Sequence, residues 1–197
     1  MNKKEHSNFS TRRIVLDAML IALFFVLSSA SLRLGNTFKI TFDSLACLIT
    51  AMLFGPLDAF LVGFIGEFLA QVLSYGITAT TFLWMLAPAL RGLVMGIGVK
   101  LFREKMSLPA ILKHRSWLYM VFVVLSSVAA SLMNTAALYV DSKMFGYYEY
   151  HMVFGVLLIR LGTGIVSSVL MAIIAVPVLQ ALYAAHAVPV NSMIKRD

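Results

Sequence analysis

Long apolar runs separated by short polar connectors dominate the chain. They fall at roughly 13–34, 44–57, 58–76, 79–102, 117–140 and 151–185. Crossing the hydrocarbon core takes about 20 apolar residues in a helix. The pattern therefore predicts an all-α membrane protein, a compact bundle of six transmembrane helices. The second run is short for a span, so it is tilted, re-entrant or extended into 40–43. Gly55-Pro56 marks a tight turn between the second and third runs. The last run is long; Pro177 is a candidate kink, and the end of the run is a candidate surface segment. Three regions follow: a basic N-terminus over 1–12, a six-helix transmembrane domain over 13–185, and a C-terminal tail over 186–197.

Composition agrees. Of 197 residues, 60% are hydrophobic and 13% charged, with mean hydropathy +0.89. A soluble domain carries about twice that charge. The net charge of +7 resides in the connectors. Lys3, Lys4, Arg12, Arg13, Lys100, Arg103, Lys105, Lys113, Arg115, Lys195 and Arg196 fall on one side, against Arg33, Lys39 and Lys143 on the other. Positive residues resist translocation, so the rich side is expected to be cytoplasmic, with both termini there. The start resembles a secretory signal ending at Ser28-Ser29-Ala30, but five further runs follow and cleavage is not expected. The single cysteine, Cys47, excludes an internal disulfide and a cysteine zinc cluster.

Charges inside the apolar runs are the candidate chemistry. Glu67, Arg91 and Arg160 each fall about nine to eleven residues from the same end of their helices, roughly 15 Å in. A charge at that depth costs several kcal/mol unless it is paired or hydrated, so the three are expected to face one interior. Gln71, Tyr75, Trp84, Asn134 and Thr163 fall at similar or shallower depth and would complete a polar pocket with aromatic walls. The other reading is that Glu67 clamps one arginine structurally. Two arginines against one glutamate still favour an anionic ligand group such as a carboxylate. On the outer side, Gly35 to Asp43 alternates polar and apolar over Thr37–Phe42 and is extended by pattern. It is either a lid that brings Asn36, Phe38 or Lys39 to a ligand, or a plain connection.

Small residues one turn apart occur at Ala18 and Ala22, and at Gly92 and Gly96. Such spacing allows close helix approach, most often within one bundle. The chain has no Walker-type loop, no Gly-x-Ser-x-Gly and no His-Glu-x-x-His. ATP hydrolysis by that loop is excluded, no catalytic residue is assigned, and neither a metal nor a cofactor is expected. A lipid-directed enzyme would need an acid/base pair near an interface. Asp17 and Asp58 are the carboxylates there, without a histidine.

A small six-span chain with basic ends, Ala18 and Ala22 on its first helix and an outer lid segment resembles the substrate-binding S component of an energy-coupling factor (ECF) transporter. Lys39-Ile40-Thr41-Phe42, Leu53-Phe54-Gly55-Pro56-Leu57-Asp58 and Leu83-Trp84 through Arg91-Gly92 carry the resemblance, which extends over nearly the whole chain. It implies a prokaryotic cytoplasmic-membrane protein that binds a vitamin from outside and has no ATPase of its own. It also implies docking onto a transmembrane scaffold served by two cytoplasmic ATPases, through Ala18 and Ala22, with toppling in the membrane to carry the site inward. Substrate residues do not transfer by motif within this family. The arginines point to an acidic vitamin, folate or pantothenate, with riboflavin, thiamin, cobalamin and a queuosine precursor open. A structural or biogenesis membrane protein without a ligand, and a standalone carrier, are the competing classes. The absence of an internal repeat argues against the carrier.

Overall fold

Where apolar periodicity meets turn chemistry, the chain folds into helices close to the predicted runs. The computed structural model describes residues 11–30, 32–34, 38–40, 42–103 and 116–184. The helices are α1 (Thr11–Ser29), α2 (Asp43–Leu53), α3 (Pro56–Tyr75), α4 (Thr81–Arg103), α5 (Ser116–Met144) and α6 (Leu157–Ala184). A π-helical turn, His151–Gly155, leads into α6. Among the described residues these elements form a six-helix bundle. Four segments, Pro56–Tyr75, Thr81–Leu101, Trp117–Met144 and His151–Leu182, are long and apolar enough to cross a membrane. Arg12, Arg13 and Asp17 load the start of α1, and α2, with 11 residues, is about 16 Å long and cannot cross alone.

The first run does not continue as helix to 34. It stops at Ser29, whose hydroxyl donates to Phe25 O at 2.9 Å, and an antiparallel hairpin follows. Strand β1 (Leu32–Leu34) pairs with β2 (Phe38–Ile40), with Arg33 opposite Lys39. The alternation read over Thr37–Phe42 thus appears as a strand where the chain is described. Asn36 lies outside the described residues, as do both terminal regions short of Thr11 and beyond Ala184. Pro177 sits inside an uninterrupted α6.

Gly55 (φ 101°) reverses the chain between α2 and α3, a conformation other residues avoid, and Pro56 opens α3 at its first turn. The same hairpin explains Gly92 and Gly96. A Cβ at Gly92 would stand 2.3 Å from Ala59 O, and one at Gly96 2.3 Å from Pro56 Cα. This pair therefore serves close packing of α4 on α3. The two alanines of α1 behave differently. Ala18 and Ala22 are exposed together with Ile14, Val15, Met19 and Val26, while Phe24 on the opposite face is fully buried.

The core lies in the half of the bundle away from the hairpin. Leu48 and Met52 of α2, Met95 and Val99 of α4, Tyr119 and Val123 of α5, and Met171 and Leu179 of α6 form one cluster. At this far end Arg13 Nε donates to Asp58 Oδ2 at 2.7 Å, pinning α1 to the start of α3. Cys47 is buried, its thiol directed at Pro88 O.

Candidate substrate-binding cavity

Toward the hairpin end the helices diverge around a cavity of about 800 Å³, within the usual range for small-ligand sites. Its wall includes Glu67, Gln71, Tyr75, Trp84, Arg91, Asn134, Arg160 and Thr163, all singled out from sequence. Of the remaining candidates, Phe38 and Lys39 are on β2, and their side chains lie outside the described residues, as does Asn36.

Close helix contacts set the levels. A Cβ at Gly63 would meet Pro88 O at 2.6 Å, and one at Gly164 would meet Ser131 Oγ at 2.8 Å. Glu67 is four residues beyond Gly63 and Trp84 four before Pro88, on antiparallel helices, so the two share a level. Asn134, three beyond Ser131, and Arg160, four before Gly164, face each other likewise. Arg91 lies seven residues past Trp84, about 10 Å deeper along α4. The three charged residues expected at one depth thus divide into an upper pair and a lower arginine. Helical side chains lean toward their N-terminus, so Arg91 reaches back toward the hairpin end. There its Nη1 meets Asp43 Oδ1 at 3.3 Å.

Each polar group has a distinct setting. Glu67 Oε1 accepts from Gln71 Nε2 at 2.7 Å, one turn along α3. The Arg91–Asp43 pair is well buried, with side-chain exposures of 12% and 10%. Arg160 instead donates to backbone carbonyls of the π-helical turn, Nη2 to Met152 O at 2.7 Å and Nη1 to Val153 O at 3.3 Å. At the rim, Asp141 of α5 accepts from the hydroxyls of Thr80 and Tyr147. It thereby ties the α3–α4 and α5–α6 connections together over the opening. Tyr75, Phe145 and Tyr147 supply aromatic surface there, and Lys143 Nζ stacks 3.8 Å over the Tyr148 ring beside it.

Asp43 and Asp141 are the charged wall residues that the sequence pattern does not single out. The first was counted as the end of the outer connection and the second fell one residue beyond the predicted fifth span. Their presence changes the charge count: three carboxylates face two arginines. Arg91 is clamped by Asp43, and Glu67 accepts from Gln71. Among the described residues no cluster of three or more His, Cys, Asp or Glu is placed to hold a metal ion.

A membrane-embedded helical bundle with a closed packed end and a polar cavity at the other is a small-molecule binding architecture. Two solved structures share it. One is the S component of a bacterial ECF transporter, 18% identical, with a TM-score of 0.59 over 87% of this chain and 98% of that one. The other is the S-component for biotin from an ECF-type ABC transporter, 14% identical, with a TM-score of 0.58 over 86% and 93%. At these identities the likeness is one of fold.

The chain belongs to the family of the ECF-type riboflavin transporter, S component, whose model matches residues 8–184. It is a multi-pass membrane protein of the ECF transport class. It is also 34% identical over 102 residues to a UPF0397 protein of Leuconostoc citreum, covering 50% of this chain and 53% of that protein. A UPF0397 protein of Lactobacillus gasseri is 35% identical over 101 residues, covering 49% and 51%. The chain spans about half the length of the curated relatives it matches.

Proposed function

We propose that this chain is the substrate-capture subunit of a vitamin importer. It takes one water-soluble vitamin from outside into the cavity at the hairpin end and yields it through a transmembrane scaffold powered by two ATPases. The observation that carries this reading is the convergence of Glu67 and Gln71 (α3), Trp84 (α4), Asn134 (α5) and Arg160 (α6) on one cavity. Membrane interiors tolerate such groups where they serve a site. In this reading those residues and Tyr75 contact the ligand, Arg91 with Asp43 forms the floor, and Asn36, Phe38 and Lys39 belong to the lid. Ala18 and Ala22 form the docking face for the scaffold, which their exposure on α1 supports. The hairpin end faces outside and both termini face the cytoplasm.

For the vitamin, the three-to-two charge count removes the argument for a strongly acidic compound. The aromatic wall of Tyr75, Trp84, Phe145 and Tyr147, with hydroxyls from Thr78, Ser131 and Ser168, suits a neutral planar heterocycle bearing a hydroxylated chain. Riboflavin has that chemistry, and the family's description supports it; folate and pantothenate are the competitors. The test is calorimetric titration of the purified chain in detergent with riboflavin, folate, pantothenate, thiamin and biotin. One-to-one binding of riboflavin in the nanomolar to low micromolar range is expected. A folded, monodisperse sample that binds none of them would return the chain to a structural role.

A further inference from the structure

The two arginines of the cavity are not equivalent. Arg91 is offset by Asp43 at 3.3 Å, and its Nε is buried without a partner. Its charge is neutralised inside the protein before any ligand arrives. Arg160 has no such offset. Among the described residues no carboxylate lies within ion-pair reach of it, and its partners are two neutral carbonyl oxygens, Met152 O and Val153 O. A guanidinium carries five N–H donors in a fixed fork. Two are engaged, one on each terminal nitrogen, and three remain on a side chain that lines the cavity.

The setting of Arg160 keeps it oriented. Its carbonyl partners belong to the π-helical turn His151–Gly155, which precedes α6, so the fork is braced by the backbone of its own segment. Across the cavity at the same level stands Asn134, exposed toward the space it lines. Its amide presents both a donor and an acceptor. A cation without a counter-charge in a membrane bundle is costly unless it marks a binding event, and a planar fork selects paired acceptors.

We propose that Arg160, and not Arg91, is the residue that reads the ligand, and that it does so through an acceptor-rich edge. Such an edge is a carboxylate, or the paired carbonyls of a pyrimidinedione. Asn134 completes the reading of that edge from the facing helix. Arg91 sets the floor and does not discriminate. The inference rests on the vitamin-binding reading above and sharpens it, because a ligand lacking such an edge is excluded whatever its ring system.

The experiment compares Arg160→Met, Arg160→Lys and the charge-neutral double variant Asp43→Leu/Arg91→Met. Each is first checked for a monodisperse elution profile and then titrated with riboflavin, folate and pantothenate. Expected is a loss of at least thirtyfold in affinity for the compound that wild type binds in Arg160→Met. A smaller loss is expected in Arg160→Lys, which keeps the charge and not the fork; the double variant at the floor should lose less than Arg160→Met and keep the wild-type ranking of the three compounds. On wild type, the N3-methyl derivative of riboflavin, or pantothenol in place of pantothenate, should bind at least thirtyfold more weakly than its parent. This arm decides the matter if Arg160→Met fails to fold. Arg160→Met within threefold of wild type, or an altered-edge compound equal to its parent, overturns the assignment while leaving the protein a vitamin binder. Absence of binding by folded wild type overturns the vitamin reading itself and this inference with it.

Discussion

Asp43 and Arg91 meet at 3.3 Å between the first turn of α2 and the middle of α4, and so fix the residue that follows the hairpin to the cavity floor. Removing one partner of a buried pair leaves an uncompensated charge and costs about 3–5 kcal/mol. Arg91→Met alone should therefore lower the thermal unfolding midpoint in detergent by many degrees. Asp43→Leu/Arg91→Met, which removes both charges, should recover much of the loss. Circular dichroism melts would decide, and equal midpoints for single and double variants would contradict the clamp.

Trp84 lines the cavity, whereas Trp117 is exposed at the far end of α5. Ligand binding should change tryptophan emission in wild type and in Trp117→Phe. It should leave Trp84→Phe unresponsive. A retained response in Trp84→Phe would move the ligand elsewhere.

The helix hairpin of α3 and α4 tolerates no side chain at Gly96, since a Cβ there would lie 2.3 Å from Pro56 Cα. A Cβ at Gly162 would meet nothing within 4 Å. Gly96→Ala should lose about 1–3 kcal/mol through forced separation of backbones. Gly162→Ala should be neutral or gain up to about 1 kcal/mol in helix propensity. Paired thermal melts test the contrast, and the reverse order would refute the packing.

On the proposed docking face, Ala22→Trp adds bulk to an exposed stripe without touching the cavity. Vitamin affinity should stay within twofold of wild type, and co-purification with the scaffold should be lost. Undiminished co-purification would place the docking surface elsewhere.

At the rim, Asp141→Ala deletes the acceptor shared by Thr80 and Tyr147. Each such bond to a charged group is worth about 1.5–3 kcal/mol. Stopped-flow release of bound vitamin should accelerate about tenfold or more. An unchanged release rate would mean that these connections do not gate the opening.

How much of this was readable in the sequence follows from what kind of signal each feature leaves. The helices were, because a run such as 58–76 has no soluble alternative, and α3 occupies 56–75. Glu67, Trp84, Asn134 and Arg160 were legible as wall residues because polar groups in apolar runs are costly away from a shared interior. Asp43 was not, since a carboxylate at the edge of a polar connection looks solvated until α2 is seen to begin buried. The π-helical turn left no trace either, because no residue pattern in His151–Gly155 marks a shifted hydrogen-bond register. Nor was the difference between Ala18/Ala22 and Gly92/Gly96, identical in spacing, decidable before the faces of α1 and α4 were known.

The packed cluster of α2, α4, α5 and α6 beneath the cavity has a further consequence. Among the described residues the molecule is built as a cup: Leu48, Met52, Met95, Val123 and Leu179, each at most 1% exposed, fill the bundle below the Arg91 floor. On the proposed importer reading, a ligand that enters by this opening would also leave by it, and delivery to the opposite side of a bilayer would require the opening itself to change its surroundings.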